Sequence, residues 1–189
     1  MTRVQPGPIP APTEDAPAAV SLRPGYIHFA KEPAVVVTVL GSCVSVTMHC
    51  ARLEIGAICH AVFPAAIPAE EDGPFRYVDR SIEAMAAWIY RIGARRGEIE
   101  VKLFGGAGAR WSVEGGPASV TVGRSNVESA LRTLASHGLR VAASDVGGTF
   151  GRKLYFLPHT GDVYMKRLRT DPFTPDADPG WSAGPEGRA

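Results

Sequence analysis

The chain has 189 residues, long enough for one domain with a sizeable core. Its formal net charge of +1 supplies no field for holding nucleic acid or an anionic membrane, and 45% hydrophobic with 21% charged residues is ordinary for a soluble globular protein. The cysteines, Cys43, Cys50 and Cys59, are odd in number and too few for a disulfide scaffold, and no apolar run approaches the roughly 20 residues that cross a bilayer. The first residues, MTRVQPGPIPAPTEDAP, lack the apolar segment of a secretory signal. The expectation is a cytoplasmic protein with reduced thiols.

In chain order, residues 1–19 carry five prolines and almost no large apolar side chain, which predicts a disordered or polyproline-like tail. AVVVTVL (34–40) and VSVTM (44–48) are β-branched and predict two strands, separated by a Gly41-Ser42 turn that leads into Cys43. IGAICHAVF (55–63) predicts a third strand, ended by Pro64. The small, acidic stretch 65–74 predicts a loop, which is either a substrate rim, given its place close after His60, or only a connection. Ile82, Met85, Ile89 and Ile92 recur at helical spacing and predict a helix from about Tyr77.

VKLF (101–104) predicts a strand leading into FGGAGAR, whose Gly105 and Gly106 suit close backbone approach better than phosphate binding, because no P-loop or dinucleotide motif is completed. SVTV (119–122) predicts another strand. Ser125 and Glu128 match a capping box opening a helix with Val127, Leu131 and Leu134 inward and Gly138 as its stop. LRVAA, KLYFL and DVYMKRL predict a strand and a closing hairpin turned by residues 158–161. The ordered domain is expected over 20–169, with a second disordered tail at 170–189. About seven clustered strands and two main helices predict an α/β (α+β) fold, a layered mixed β-sheet or sandwich rather than a doubly wound sheet.

Cys43 sits at a bend where a side chain can face a cleft. A nucleophilic cysteine needs a base within hydrogen-bond reach and donors for an oxyanion. Of the five histidines, His137 and His159 read as surface residues and His49 as the exposed end of a strand. His60 lies inside an apolar run, where an imidazole is costly without a partner. From the residues alone two readings stand: His60 is the base, or a core histidine satisfied by a carbonyl; Cys43 is a nucleophile, or an inert small hydrophobe. A zinc site fits poorly, since the cysteines are seven and nine apart rather than on a tight knuckle. A redox sensor lacks a resolving cysteine near Cys43.

Taken together, LGSCVSV, GAICHAVFP, YVDRSI, KLFGGA, GRSNVE, DVGGTFGRKLYF and GDVYMK, in that order, resemble the CheD-type chemoreceptor glutamine deamidases of bacterial chemotaxis. The resemblance covers essentially the whole ordered domain. It implies a fold similar to Cys-His deamidating toxins, with Cys43 as nucleophile, His60 as general base and Thr38 as a further active-site residue. It implies hydrolysis of receptor glutamine side chains to glutamate through a cysteine thioester, a route that also accepts a glutamyl methyl ester. No cofactor or metal is implied. The expected partners are the cytoplasmic domains of methyl-accepting chemoreceptors and a CheC-type phosphatase, the free protein being a monomer. The other function the resemblance allows is a non-catalytic module docking on the receptor or on that phosphatase.

Overall fold

The computed structural model describes residues 4–5, 19–66, 73–108 and 122–168. Among the described residues ten strands form two five-stranded sheets. The first runs β1 (Val4–Gln5), β10 (Val163–Leu168), β9 (Gly151–Phe156), β4 (Val35–Leu40), β2 (Ala19–Ser21). The second runs β3 (Ile27–Ala30), β6 (Ile55–Cys59), β5 (Val44–Cys50), β7 (Ile99–Gly105), β8 (Val141–Val146). Both are mixed: β2 pairs parallel with β4 and β7 with β8, while β5 is antiparallel to β6 and β7. The layered α+β arrangement expected from the clustered strands is the one observed.

Two helices, α1 (Val78–Arg91) and α2 (Val122–Ser136), cover the second sheet. The order of layers is therefore helices, second sheet, first sheet, and two apolar cores fill the two gaps. Between helices and sheet lie Val44, Val46, Met48, Ala57, Leu103 and the α1 residues Ile82, Met85 and Ile89. Between the sheets lie Val36, Leu40, Ile58, Phe104, Leu154 and Phe156. β5 is buried at every position because it is the central strand of the middle layer. Its alternate residues then face different neighbours: Val44, Val46 and Met48 meet the helices, so Cys43, Ser45, Thr47 and His49 are left facing the first sheet. Each large apolar side chain sealed in these layers contributes about 1.5–3 kcal/mol.

Several local expectations change. The strand expected at 119–122 falls outside the described residues except for Val122, which begins α2. Helix α2 thus starts three residues before the expected capping box; Ser125 is already inside it, and Glu128 pairs with Arg124 at 2.8 Å. Its buried face carries Gly123, Asn126, Ser129, Ala130 and Leu134, while Leu131 is exposed. Leu134 and Val127 still pack inward, but Asn126 and Ser129 share that face because they bond the carbonyls of Ser42, Val62 and Pro64. His49, expected at an exposed strand end, is buried under the β9–β10 turn, where its Nε2 lies 3.3 Å from the His159 carbonyl. His159, also expected at the surface, is half-buried. Strands β2 and β3 were not legible in the sequence: each is only three or four residues long.

Candidate active site

β4 belongs to the first sheet and β5 to the second, so the chain must change sheets between Leu40 and Val44. Gly41, Ser42 and Cys43 make that crossing. Cys43 consequently stands at the end of the layer between the sheets, half-buried, with its side chain against the inter-sheet core. Burial raises its thiol above the ordinary range, opposed in part by its own backbone N–H directed at the sulfur. Cys50 and Cys59 are fully buried, and burial pushes Cys59 up to about 11. They remain packing residues, as their place inside apolar runs suggested.

His60 follows β6. Val44 and Ala61 exchange backbone hydrogen bonds of 3.0 and 2.9 Å, extending the β5–β6 register by one bridge past the strand ends. In that register Cys43 lies opposite Val62, and His60 is its diagonal neighbour on the same face, the one turned toward the first sheet. Thr38 meets His60 from the other side. It is the middle of the inward-facing set Val36, Thr38, Leu40 on β4, and its Oγ1 lies 2.7 Å from His60 Nδ1. Thr38, Cys43 and His60 therefore converge at one mouth of the inter-sheet layer.

The hydrogen bonds favour one tautomer of the imidazole. Thr38 Oγ1 donates its single proton to the Leu22 carbonyl at 2.9 Å, so toward His60 it can only accept. His60 Nδ1 must carry the hydrogen, and Nε2 keeps its lone pair. With 3% of His60 exposed, burial lowers its pKa to about 4, the nearby Leu22 carbonyl opposing the shift. The ring is neutral at pH 7 and its free nitrogen is a proton acceptor.

The turn is held from three sides. Gly106 N–H donates to the Cys43 carbonyl at 2.8 Å and Ala107 N–H to the Gly41 carbonyl at 2.9 Å. A side chain at Gly105 would meet the Cys43 carbonyl oxygen at 2.2 Å, and the residue has φ +103°, so glycine is required for the end of β7 to lie this close. The close approach anticipated for Gly105 is thus onto the Cys43 turn, and that anticipated for Gly106 is onto α2 at Gly123 and Val127. From α2, Asn126 Nδ2 donates to the carbonyls of Ser42 at 3.0 Å and Val62 at 2.9 Å. The 147–150 turn lies alongside, Gly147 N–H donating to Gly105 O at 2.9 Å, and buried Arg152 braces it through the carbonyls of Gly147 and Phe150 and the carboxylate of Asp145.

Asn126 and Arg152 went unread in the sequence as site residues, because a polar residue on a buried helix face breaks no apolar period and leaves no mark. Most of the loop at 65–74 lies outside the described residues. A polar cleft of about 370 Å³ opens at the opposite end of the inter-sheet layer, lined by His49, Glu100, Lys102 and Asp162 among others. None of Thr38, Cys43 and His60 lines it.

Residues 64–167 match the family model described as CheD chemotactic sensory transduction. The chain is a member of the CheD family. It is 49% identical over 149 residues to a probable chemoreceptor glutamine deamidase CheD 2 of Geobacter sulfurreducens, covering 79% of this chain and 89% of that one. It is 39% identical over 160 residues to a probable chemoreceptor glutamine deamidase CheD of Maridesulfovibrio salexigens, covering 82% and 94%. A similarly described protein of Nitratidesulfovibrio vulgaris is 40% identical over 161 residues, covering 82% and 81%. The CheD family model begins at Pro64, so the Thr38, Cys43 and His60 cluster lies in the part of the chain that only the pairwise similarity reaches. Among the described residues no helix is long and apolar enough to cross a membrane.

Proposed function

We propose that this CheD-family chain deamidates glutamine side chains of methyl-accepting chemoreceptors, with Cys43 as nucleophile, His60 as general base and Thr38 as the residue that orients it. The observation that carries the reading is the Leu22–Thr38–His60 chain of hydrogen bonds, which leaves Nε2 as a free acceptor on the face it shares with Cys43. Family membership and the glutamine deamidase descriptions of its relatives supply the substrate.

The chemistry follows from the protonation states. A neutral thiol faces a neutral imidazole, so Cys43 gives its proton to Nε2 as sulfur attacks the side-chain amide carbon. The oxyanion that forms lies beside the Ser42 and Cys43 N–H groups. Among the described residues neither is bonded to a backbone carbonyl, and the Cys43 N–H, which is turned toward its own sulfur, would exchange that contact for the oxyanion. The imidazolium returns its proton to the amide nitrogen, the C–N bond breaks, and ammonia departs from a γ-glutamyl thioester. Water then gives a proton to Nε2 and attacks the thioester; the C–S bond breaks, Cys43 regains its proton, and glutamate remains. Each turnover adds one negative charge to the receptor surface.

The test incubates the full chain with receptor cytoplasmic fragments and follows glutamine-containing peptides by mass. A gain of about one dalton per site is expected, reduced at least about a thousandfold in Cys43→Ala and in His60→Ala. Tight receptor binding with no mass change in the wild-type protein would replace this reading with that of a docking module.

A further inference from the structure

We propose that Asn126, on helix α2, is a positioning residue for this site: one carboxamide aligns the nucleophile's turn with the segment that carries the base. The proposal rests on the reading of Cys43 and His60 above. Asn126 is 84 residues from Ser42 and 64 from Val62, and its Nδ2 donates to both their carbonyls. Ser42 precedes Cys43; Val62 lies two residues past His60 and opposite Cys43 in the extended register. The two acceptors are carbonyls, so the amide must present its NH2 group to them, and both of its hydrogens are used.

Holding the Ser42 carbonyl does more than anchor a loop. Ser42 C=O and Cys43 N–H belong to one planar trans peptide and point in opposite directions. Fixing the carbonyl toward α2 therefore fixes the Cys43 N–H on the opposite side. The next peptide is fixed in the same way, with Cys43 O held by Gly106 and Val44 N–H by the Ala61 carbonyl. Asn126 completes the set that makes the peptide before the nucleophile rigid, and its second bond ties that peptide to the His60 segment.

The cost of the arrangement is visible. Asn126 is fully buried and its Oδ1 has no hydrogen-bond partner. An unsatisfied buried acceptor is unfavourable, and an apolar side chain of similar size would avoid it. Ser129, one turn on, already bonds the Pro64 carbonyl, so α2 is docked to this segment without Asn126.

The experiment compares Asn126→Ala and Asn126→Ser with Leu134→Ala, a buried residue of the same helix whose side chain belongs to the apolar core. Thermal unfolding, the kcat and KM of receptor-fragment deamidation, and the rate of Cys43 alkylation at one pH are measured on each full chain. Asn126→Ala is expected to lower kcat about a hundredfold, the scale of a misplacement of about 1 Å, with KM changed less than about threefold. Alkylation of Cys43 slows with kcat. Asn126→Ser, which keeps one donor, falls between Ala and wild type and supplies the same readouts if the alanine variant does not fold. Leu134→Ala unfolds at lower temperature but keeps its kcat per folded molecule. An unchanged kcat in both Asn126 variants, or losses in proportion to those of Leu134→Ala, overturns the proposal. Cys43→Ala is run alongside: if it deamidates as well as wild type, the catalytic reading itself falls, whereas an inactive Cys43→Ala with fully active Asn126 variants removes only the role of Asn126.

Discussion

A hydroxyl has one proton, and at Thr38 that proton is committed to the Leu22 carbonyl, which makes the residue an acceptor for His60. Thr38→Val keeps the shape and removes the acceptor, leaving Nδ1–H with one partner fewer in a buried site. It is expected to lower kcat by about 10- to 100-fold, because the imidazole can then rotate or change tautomer and lose part of a general-base contribution of about 10²–10⁴-fold. Thr38→Ser keeps the oxygen and should retain most activity; equal losses in both variants, measured by the same mass assay, would remove the tautomer argument. The pH profile belongs to this scale as well. With His60 lowered to about 4 by burial and Cys43 raised, both groups stay neutral across the physiological range. kcat/KM should therefore be flat from about pH 6 to 8, with its acid limb below the ordinary imidazole range. An acid limb near 6.5 would mean that His60 titrates as an exposed histidine does.

At the scale of elements, the site depends on the end of β7 lying against the Cys43 turn. Gly105→Ala would place a methyl 2.2 Å from the Cys43 carbonyl oxygen at a residue with φ +103°. It should cost at least about 2 kcal/mol in urea unfolding and displace the nucleophile, so activity falls even in the folded fraction. Gly147→Ala is the contrast: φ is +70°, but nothing lies within 4 Å, so the cost should be about 1 kcal/mol of backbone strain with catalysis nearly intact. Elements were also where sequence reading succeeded unevenly. Helix α1 was legible because Ile82, Met85 and Ile89 all bury at one spacing. The face of α2 was misjudged at Leu131, because Asn126 and Ser129 bury through carbonyl acceptors at Ser42, Val62 and Pro64 that only the folded chain brings beneath the helix.

Across the whole molecule, acid sensitivity follows from histidines sealed between layers. His60 has a folded pKa of about 4, against 6.5 for an exposed imidazole. Between those values the unfolded chain binds the extra proton, so stability is fully present above pH 6.5 and is lost as pH falls toward 4. At 1.36 kcal/mol per unit this amounts to roughly 3 kcal/mol from His60. His49, also lowered chiefly by burial, acts in the same direction. Denaturant unfolding of the wild-type protein at pH 7 and pH 4.5 should show this drop, and His60→Gln should reduce it; an equal drop in both proteins would assign the acid sensitivity to other groups.

Composition, the β-branched runs and the helical spacing of α1 determined the α+β layered class, because apolar pattern is a local property that survives without coordinates. Cys43 stood out at a Gly-Ser bend and His60 as an imidazole in an apolar run, both marks that a single chain displays. Their meeting was a different matter. That the Gly41–Cys43 turn is where the chain leaves one sheet for the other, that Thr38 faces His60 across the gap, and that Asn126 holds both segments all depend on contacts between residues 16 to 84 positions apart. Hydrogen-bond partners at such separations are chosen by sheet order and register, and those exist only once the layers have packed.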